Sequence, residues 1–300
     1  MQSNRVINHV WLWGAMIMII FPAPVLAQVA MAEKNVDTAR IEHIDNMATI
    51  SVESDRPLAS ASLALENKYG WQINYEDPPF LDTQDLKDVT ALVSRTPLQQ
   101  HRVIVPKGGT LEAMFPLICN KPENAAAILQ SLIETHQQKG NPGVFHLKQR
   151  GAVFYIIATG AKNKKGQFID VKPPLDHFIS LTFQGGTLDA FVKAIAQAVT
   201  QKCDFKLITG MVPINLFLQT SVRVPSMRGT PRDFNTTDTI QVTSTSGTAR
   251  DLLQNALDAT GRKLAWQLLC EPGLCALNVH PVALKSVDPL TGAETYRPVD

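Results

Sequence analysis

Apolar positions along the chain follow two rhythms, one of period two and one of period 3.6, and the rhythms succeed each other in a fixed order. Ile50-Ser-Val is a short apolar strand, and Pro57 then opens a helix, where its missing N–H costs nothing. Leu58, Ala61, Leu65 and Tyr69 follow at helical spacing, and Gly70 stands where a left-handed C-cap belongs. Trp71, Ile73 and Tyr75 then alternate as on a half-buried strand. This order predicts a β-α-β unit.

The order returns after Ile179. Ile179, Leu181 and Phe183 alternate, "QGGT" turns, Leu188, Phe191, Ile195 and Val199 form a helical stripe, and Phe205 to Ile208 close with a strand. Each half goes on in the same way. "RVIVPKGG" (102–109) is matched by "VRVPSMRG" (222–229), and "NAAAILQSLI" from Asn124 by "TARDLLQNAL" from Thr248. Two strands end each half: "VFHLKQ" and "AVFYIIA" in the first, "LAWQLL" and "ALNVHPV" in the second. The offsets between matched pieces stay at about 120 to 130 residues, the mark of an internal duplication.

The expected fold class is therefore α+β, with two tandem related lobes, each a small sheet with two helices (β-α-β followed by α-β-β). The lobes span 48–159 and 175–284. A linker at 160–174, rich in Lys, Gly and Pro, joins them, with a flexible segment at 28–47 and an irregular tail at 285–300.

The first 27 residues read as a secretory signal peptide. Arg5 precedes the uncharged run Val10 to Phe21, and Val25 and Ala27 sit at the −3 and −1 positions of a cleavage site; Ala32 ends a second candidate site. The apolar run is short for a membrane span, so membrane contact is expected only through this segment, were it retained. Periplasmic or secreted placement follows. With 28 basic against 27 acidic side chains, the charge balance argues for no nucleic-acid partner.

An even number of cysteines in an exported chain suits disulfides. Cys270 and Cys275 flank a Pro-Gly turn between two apolar-rich arms, as in a stapled β-hairpin. Cys119 and Cys203 remain as the other pair, which no sequence feature places side by side.

Few residues stand at spacings that chemistry requires. The seven histidines (His9, His43, His101, His136, His146, His177, His280) show no pair one helical turn apart with a Glu beside it. No G-x-S-x-G, phosphate-binding glycine loop, S-x-x-K or C-x-x-C occurs. No metal site, catalytic residue or cofactor is therefore assigned. The neighbouring carboxylates Glu76 and Asp77, in "YGWQINYEDPPF", would point to opposite faces of a strand, and Pro78 ends its ladder. They read as architecture, and the corner Glu76, Asp77, Pro78, Pro79 and Phe80 as an exposed contact surface.

The stretch "ISVESDRPLASASLALENKYGWQINYEDPPF" resembles the secretin and TonB N-terminal short domain. The matching positions are Pro57, Leu58, Leu63, Leu65, Gly70, Ile73 and Tyr75. Ser62 departs from the usual Ala before Leu63. In the second lobe Thr187-Leu188 takes the Pro-Leu place, and Lys202-Cys203 stands where Gly is expected. The resemblance implies a periplasmic module for protein contact or sensing, with no catalytic residues to carry over. The expected function is a non-enzymatic binding or adaptor protein that contacts an envelope or outer-membrane protein, or an extended ligand, through sheet edges or an inter-lobe groove. The competing expectation is a secreted hydrolase of cell-envelope material, whose residues would come from Glu76, Asp77, His101 and His146.

Overall fold

Thirteen residues from Pro57 to Tyr69 form the first helix, α1, bounded as its sequence dictates. Pro57 occupies the first turn, and Gly70 closes it in the left-handed conformation (φ 69°), returning its N–H to the Glu66 carbonyl at 2.7 Å. The computed structural model describes residues 38–90, 104–119, 121–183, 185–210, 239–241, 245–288 and 290–299, which all fall in one compact unit, 35–300.

The first half runs β1 (Thr38–Ile44), β2 (Met47–Glu53), α1, β3 (Gln72–Glu76), β4 (Leu86–Asp88), β5 (Ile104–Pro106), β6 (Thr110–Ile118) and β7 (Lys121–Pro122). It continues through α2 (Ala125–Gln138), β8 (Val144–Arg150), β9 (Val153–Lys162) and β10 (Phe168–Asp170). The second half runs β11 (Phe178–Ser180), β12 (Gly186–Thr187), α3 (Leu188–Thr200), β13 (Lys206–Gly210), β14 (Thr239–Ile240) and β15 (Ser246–Thr248). Then come α4 (Ala249–Asp258), β16 (Leu264–Glu271), β17 (Leu274–Pro281), β18 (Ala283–Val287) and β19 (Glu294–Pro298). The protein is a mixed α+β fold. Asn124, Thr187 and Thr248 are the N-caps of α2, α3 and α4, each accepting a backbone N–H three residues on.

Seven strands form the central sheet, ordered β10, β9, β3, β16, β17 and β13, with β8 on the other edge of β9. β3 is parallel to both β9 and β16, and β13 is parallel to β17; β8–β9 and β16–β17 are antiparallel hairpins. A second sheet has the order β1-β2-β6-β7. α1 touches β1, β2 and β6 on one side and β3 on the other, and α2 touches β6 and β8, so both helices lie between the sheets. This explains the composition of α1. Its second face must also be buried, and Ala59, Ser60 and Ser62 let a strand layer come close there. Ser62 returns its hydroxyl to the Leu58 carbonyl at 2.7 Å.

The opposite face of the central sheet is covered by α3 and α4. Alternation along β9 assigns each side: Phe154 and Ile156 join Ile73 and Tyr75 under α1 and α2, while Tyr155 and Ile157 join Trp266 and Leu268 under α3 and α4. The helical stripe Leu188, Phe191, Ile195 and Val199 is wholly interior.

Several expectations are corrected. β2 and β3 lie in different sheets, as do β11 and β13, so neither half holds both outer strands of its β-α-β unit in one sheet. The reason is that β2 is needed on the far side of α1. Residues 38–44, expected as a loose segment, are β1, paired with β2 over seven residues. The tail folds as the β18–β19 hairpin, and Val299, just past β19, packs on Gly70. Within the expected linker, β10 pairs with the end of β9. "VRVPSMRG" lies outside the described residues.

Candidate functional site

β3 alternates in a way that matters for function. Its apolar residues Ile73 and Tyr75 face α1, and its polar residues Gln72, Asn74 and Glu76 face the other way, yet all five residues are buried. The polar face meets the second half of the chain. Gln72 Nε2 donates to the Leu264 carbonyl at 2.6 Å, and Asn74 accepts the Trp266 N–H at 2.9 Å and donates to Gln254 Oε1 at 3.1 Å. Glu76 Oε1 accepts the Leu175 N–H at 2.8 Å. Its other oxygen takes a hydrogen bond from Arg250, whose second guanidinium nitrogen holds Asp176.

Asp77 turns to the opposite face, beside α1. Its Oδ2 accepts Arg56 Nε at 2.7 Å and the Cys270 N–H at 2.9 Å, and its Oδ1 accepts the Tyr75 hydroxyl at 2.7 Å. Arg56 also donates to the Cys270 carbonyl at 2.9 Å. One carboxylate and one guanidinium thus bond both backbone groups of Cys270, at the tip of β16. There the Pro272-Gly273 turn reverses the chain and Cys275 pairs with Cys270, the two forming a disulfide. Together these groups form a polar seam along β3 that ties the two halves through the sheet. A third buried pair, His280 Nε2 with Glu66 at 2.9 Å, links α1 to β17.

Electrostatics follow from burial. Burial pushes the Glu76 carboxyl above its ordinary range, against the opposing pull of Arg250 and the Leu175 N–H. Burial, reinforced by the Asp77 charge, pushes the Tyr75 phenol far up, so it stays a hydrogen-bond donor. Burial likewise raises Glu66 despite His280. A general acid or base must reach a substrate proton. Glu76 and Asp77 are both fully buried, and each is engaged by an arginine and at least one N–H.

The expected exposed corner is therefore interior. Glu76, Asp77, Pro78 and Phe80 are buried and Pro79 is half-buried, because Asp77 and Phe80 are drawn inward by Arg56 and by the α3–α4 core. The hydrolase candidates do not converge either. Glu76 and Asp77 take opposite faces. His146 is exposed on β8, with Ile157 of β9 standing between it and Glu76, two strand spacings or about 10 Å across the sheet. His101 lies outside the described residues. Cys119 is an exposed free thiol and Cys203 a half-buried one. Among the described residues no cluster of His, Cys, Asp and Glu could hold a metal ion, and no helix is long and apolar enough to cross a membrane.

Sequence reasoning missed Arg56 and Arg250, the two cations that define the seam. Each is a single Arg, 21 and 174 residues from its carboxylate, and no local pattern marks it. No family model, curated protein or solved structure matches the chain.

Proposed function

We propose that this is an exported, non-enzymatic binding or adaptor protein of the periplasm, built from a duplicated module that resembles the secretin and TonB N-terminal short domain. The observation that carries the reading is the engagement of Glu76 and Asp77. The adjacent carboxylates that would be the natural acid/base pair are bonded inside the protein, where they join its halves.

Further facts support it. In both halves a helix leads into a strand that lies parallel to the second arm of an antiparallel hairpin: β3 with β9 of β8–β9, and β13 with β17 of β16–β17. In both, a strand ahead of the first helix pairs antiparallel with a strand ahead of the second: β2 with β6, and β11 with β15. The Cys270–Cys275 disulfide suits an oxidising compartment, as the apolar run after Arg5 suits export.

The partner is an envelope protein or an extended ligand, engaged at a sheet edge, where backbone groups supply affinity and alternate side chains supply selectivity. Gentle crosslinking in the cell envelope followed by pull-down tests this. A reproducible envelope partner, lost when edge residues are replaced, is the expected result. Absence of any partner together with a measured hydrolytic activity on envelope material would overturn it.

A further inference from the structure

β1 and β8, seven residues each, have no strand along the whole of one edge among the described residues, and they differ in how they are guarded. β8 carries Lys148 and Arg150 and no acidic residue, the single-sign dressing with which sheets discourage pairing with another strand. β1, sequence TARIEHI, has neither Lys nor Pro, and its register with β2 runs unbroken from Thr38 to Ile44. It is a regular, unblunted edge.

Its charges are arranged about a centre. Arg40 and Glu42 flank Ile41 and are both exposed, while Ala39 and Ile41 pack toward the core under the sheet. Neither Arg40 nor Glu42 makes an ion pair among the described residues. Consider a second copy laid antiparallel against β1 about a twofold axis normal to the sheet. Opposed residues must share a face, so the axis passes through a residue position, and only 40, 41 or 42 lets at least five residues of each seven-residue strand overlap. Centring on Arg40 sets two arginines face to face, and centring on Glu42 sets two glutamates face to face. Only Ile41 puts Arg40 of each copy opposite Glu42 of the other, twice, and brings the two Ile41 side chains together over the joined cores. Opposite charges across a strand pair favour pairing and like charges oppose it.

We infer that β1 is a self-association edge: two copies of this chain pair β1 to β1 antiparallel about Ile41, making one continuous eight-stranded sheet from the two four-stranded ones. The pairing is isologous, as a twofold requires, and so closes at two subunits. It stands independently of the adaptor role, since it uses only β1.

Charge reversal tests it. The purified full-length chain is followed by sedimentation over a range of concentrations, beside Arg40→Glu, Glu42→Arg and the double variant. Wild type forms a dimer. Each single reversal makes both symmetric contacts repulsive and weakens the dimer at least about tenfold. The double reversal restores it, which a variant that merely misfolds does not do. A second readout, in a Cys119→Ser, Cys203→Ser background, is oxidative crosslinking. Ile41→Cys crosslinks to its own copy, and Ile44→Cys does not, because Ile44 would face Thr38 of the other copy and lie about 20 Å from its own counterpart. A wild-type monomer at every concentration, a dimer indifferent to Arg40→Glu, or equal crosslinking at 41 and 44 would each overturn the inference.

Discussion

Replacing Arg250 with Met leaves most of its aliphatic stem and removes the cation that neutralises Glu76. The cost can be worked from the site. Glu76 has no exposed surface, and after the change its polar contact is the Leu175 N–H. An unpaired buried carboxylate is so unfavourable that the folded protein will protonate it. The loss therefore cannot exceed the free energy of protonation at the ambient pH. From a carboxyl of ordinary pKa 4.5, that is about 3 kcal/mol at pH 7 and under about 1 kcal/mol at pH 5. Native Glu76 already lies above 4.5, so these are ceilings. Losing the partly exposed Asp176 contact adds at most about 1 kcal/mol. The expected destabilisation is about 2–4 kcal/mol at pH 7, shrinking toward about 1 kcal/mol at pH 5. The sign agrees with linkage: the variant raises the folded pKa of Glu76 further, so its deficit grows as pH rises above 4.5. Urea unfolding at the two pH values measures it. Glu76→Gln with Arg250→Met should cost clearly less than the sum of the single changes, since no uncompensated charge remains. A loss below about 1 kcal/mol at pH 7, or the same loss at both pH values, would show that Arg250 does not neutralise a buried Glu76 charge.

Two further predictions concern other interior groups. Burial lowers the His136 imidazole from 6.5 to about 4; the ring meets Phe145 edge-on, and its Nδ1 has no partner among the described residues. A depressed folded pKa gives stability that is complete above pH 6.5 and is lost as pH falls toward 4, about 3 kcal/mol in all. His136→Phe should flatten that part of the stability–pH curve relative to wild type, and an unchanged slope would count against it. Gly70→Ala places a Cβ in a left-handed position and 3.1 Å from Val299 Cγ2. It should lower stability by about 1–2 kcal/mol by urea unfolding, and a neutral result would mean that the cap and the β18–β19 hairpin relax together.

What the sequence makes legible is local. Pro57 and Gly70 bound α1 because one lacks a donor and the other tolerates positive φ, and both reasons act within a few residues. Cys270 and Cys275 are recognisable as a stapled hairpin because the Pro-Gly turn lies between them. β3 shows the limit. Gln72, Asn74 and Glu76 alternate with apolar neighbours as they would if they faced water, and periodicity cannot distinguish solvent from a satisfied polar seam. Deciding between them requires Gln254, Trp266 and Arg250, more than 170 residues away. β1 was hidden for a different reason: His43, Glu42 and Arg40 raise its polarity until it resembles a loose segment, though Ala39 and Ile41 keep period two. The tail misled in the same way, its turn residues masking two arms that pair over Ala283–Val287 and Glu294–Pro298.

Glu76 and Asp77 are internal supports joining β3 to the second half. The most direct measurement is amide hydrogen exchange in Asp77→Ala, under conditions where global unfolding is not limiting. Asp77 holds the Cys270 N–H and positions Arg56 on the Cys270 carbonyl. Exchange should therefore accelerate about tenfold or more across Leu268 to Glu271 while β8 and β9 keep their wild-type protection. Unchanged protection at Cys270 would contradict the account and return Asp77 to consideration as a group held for chemistry.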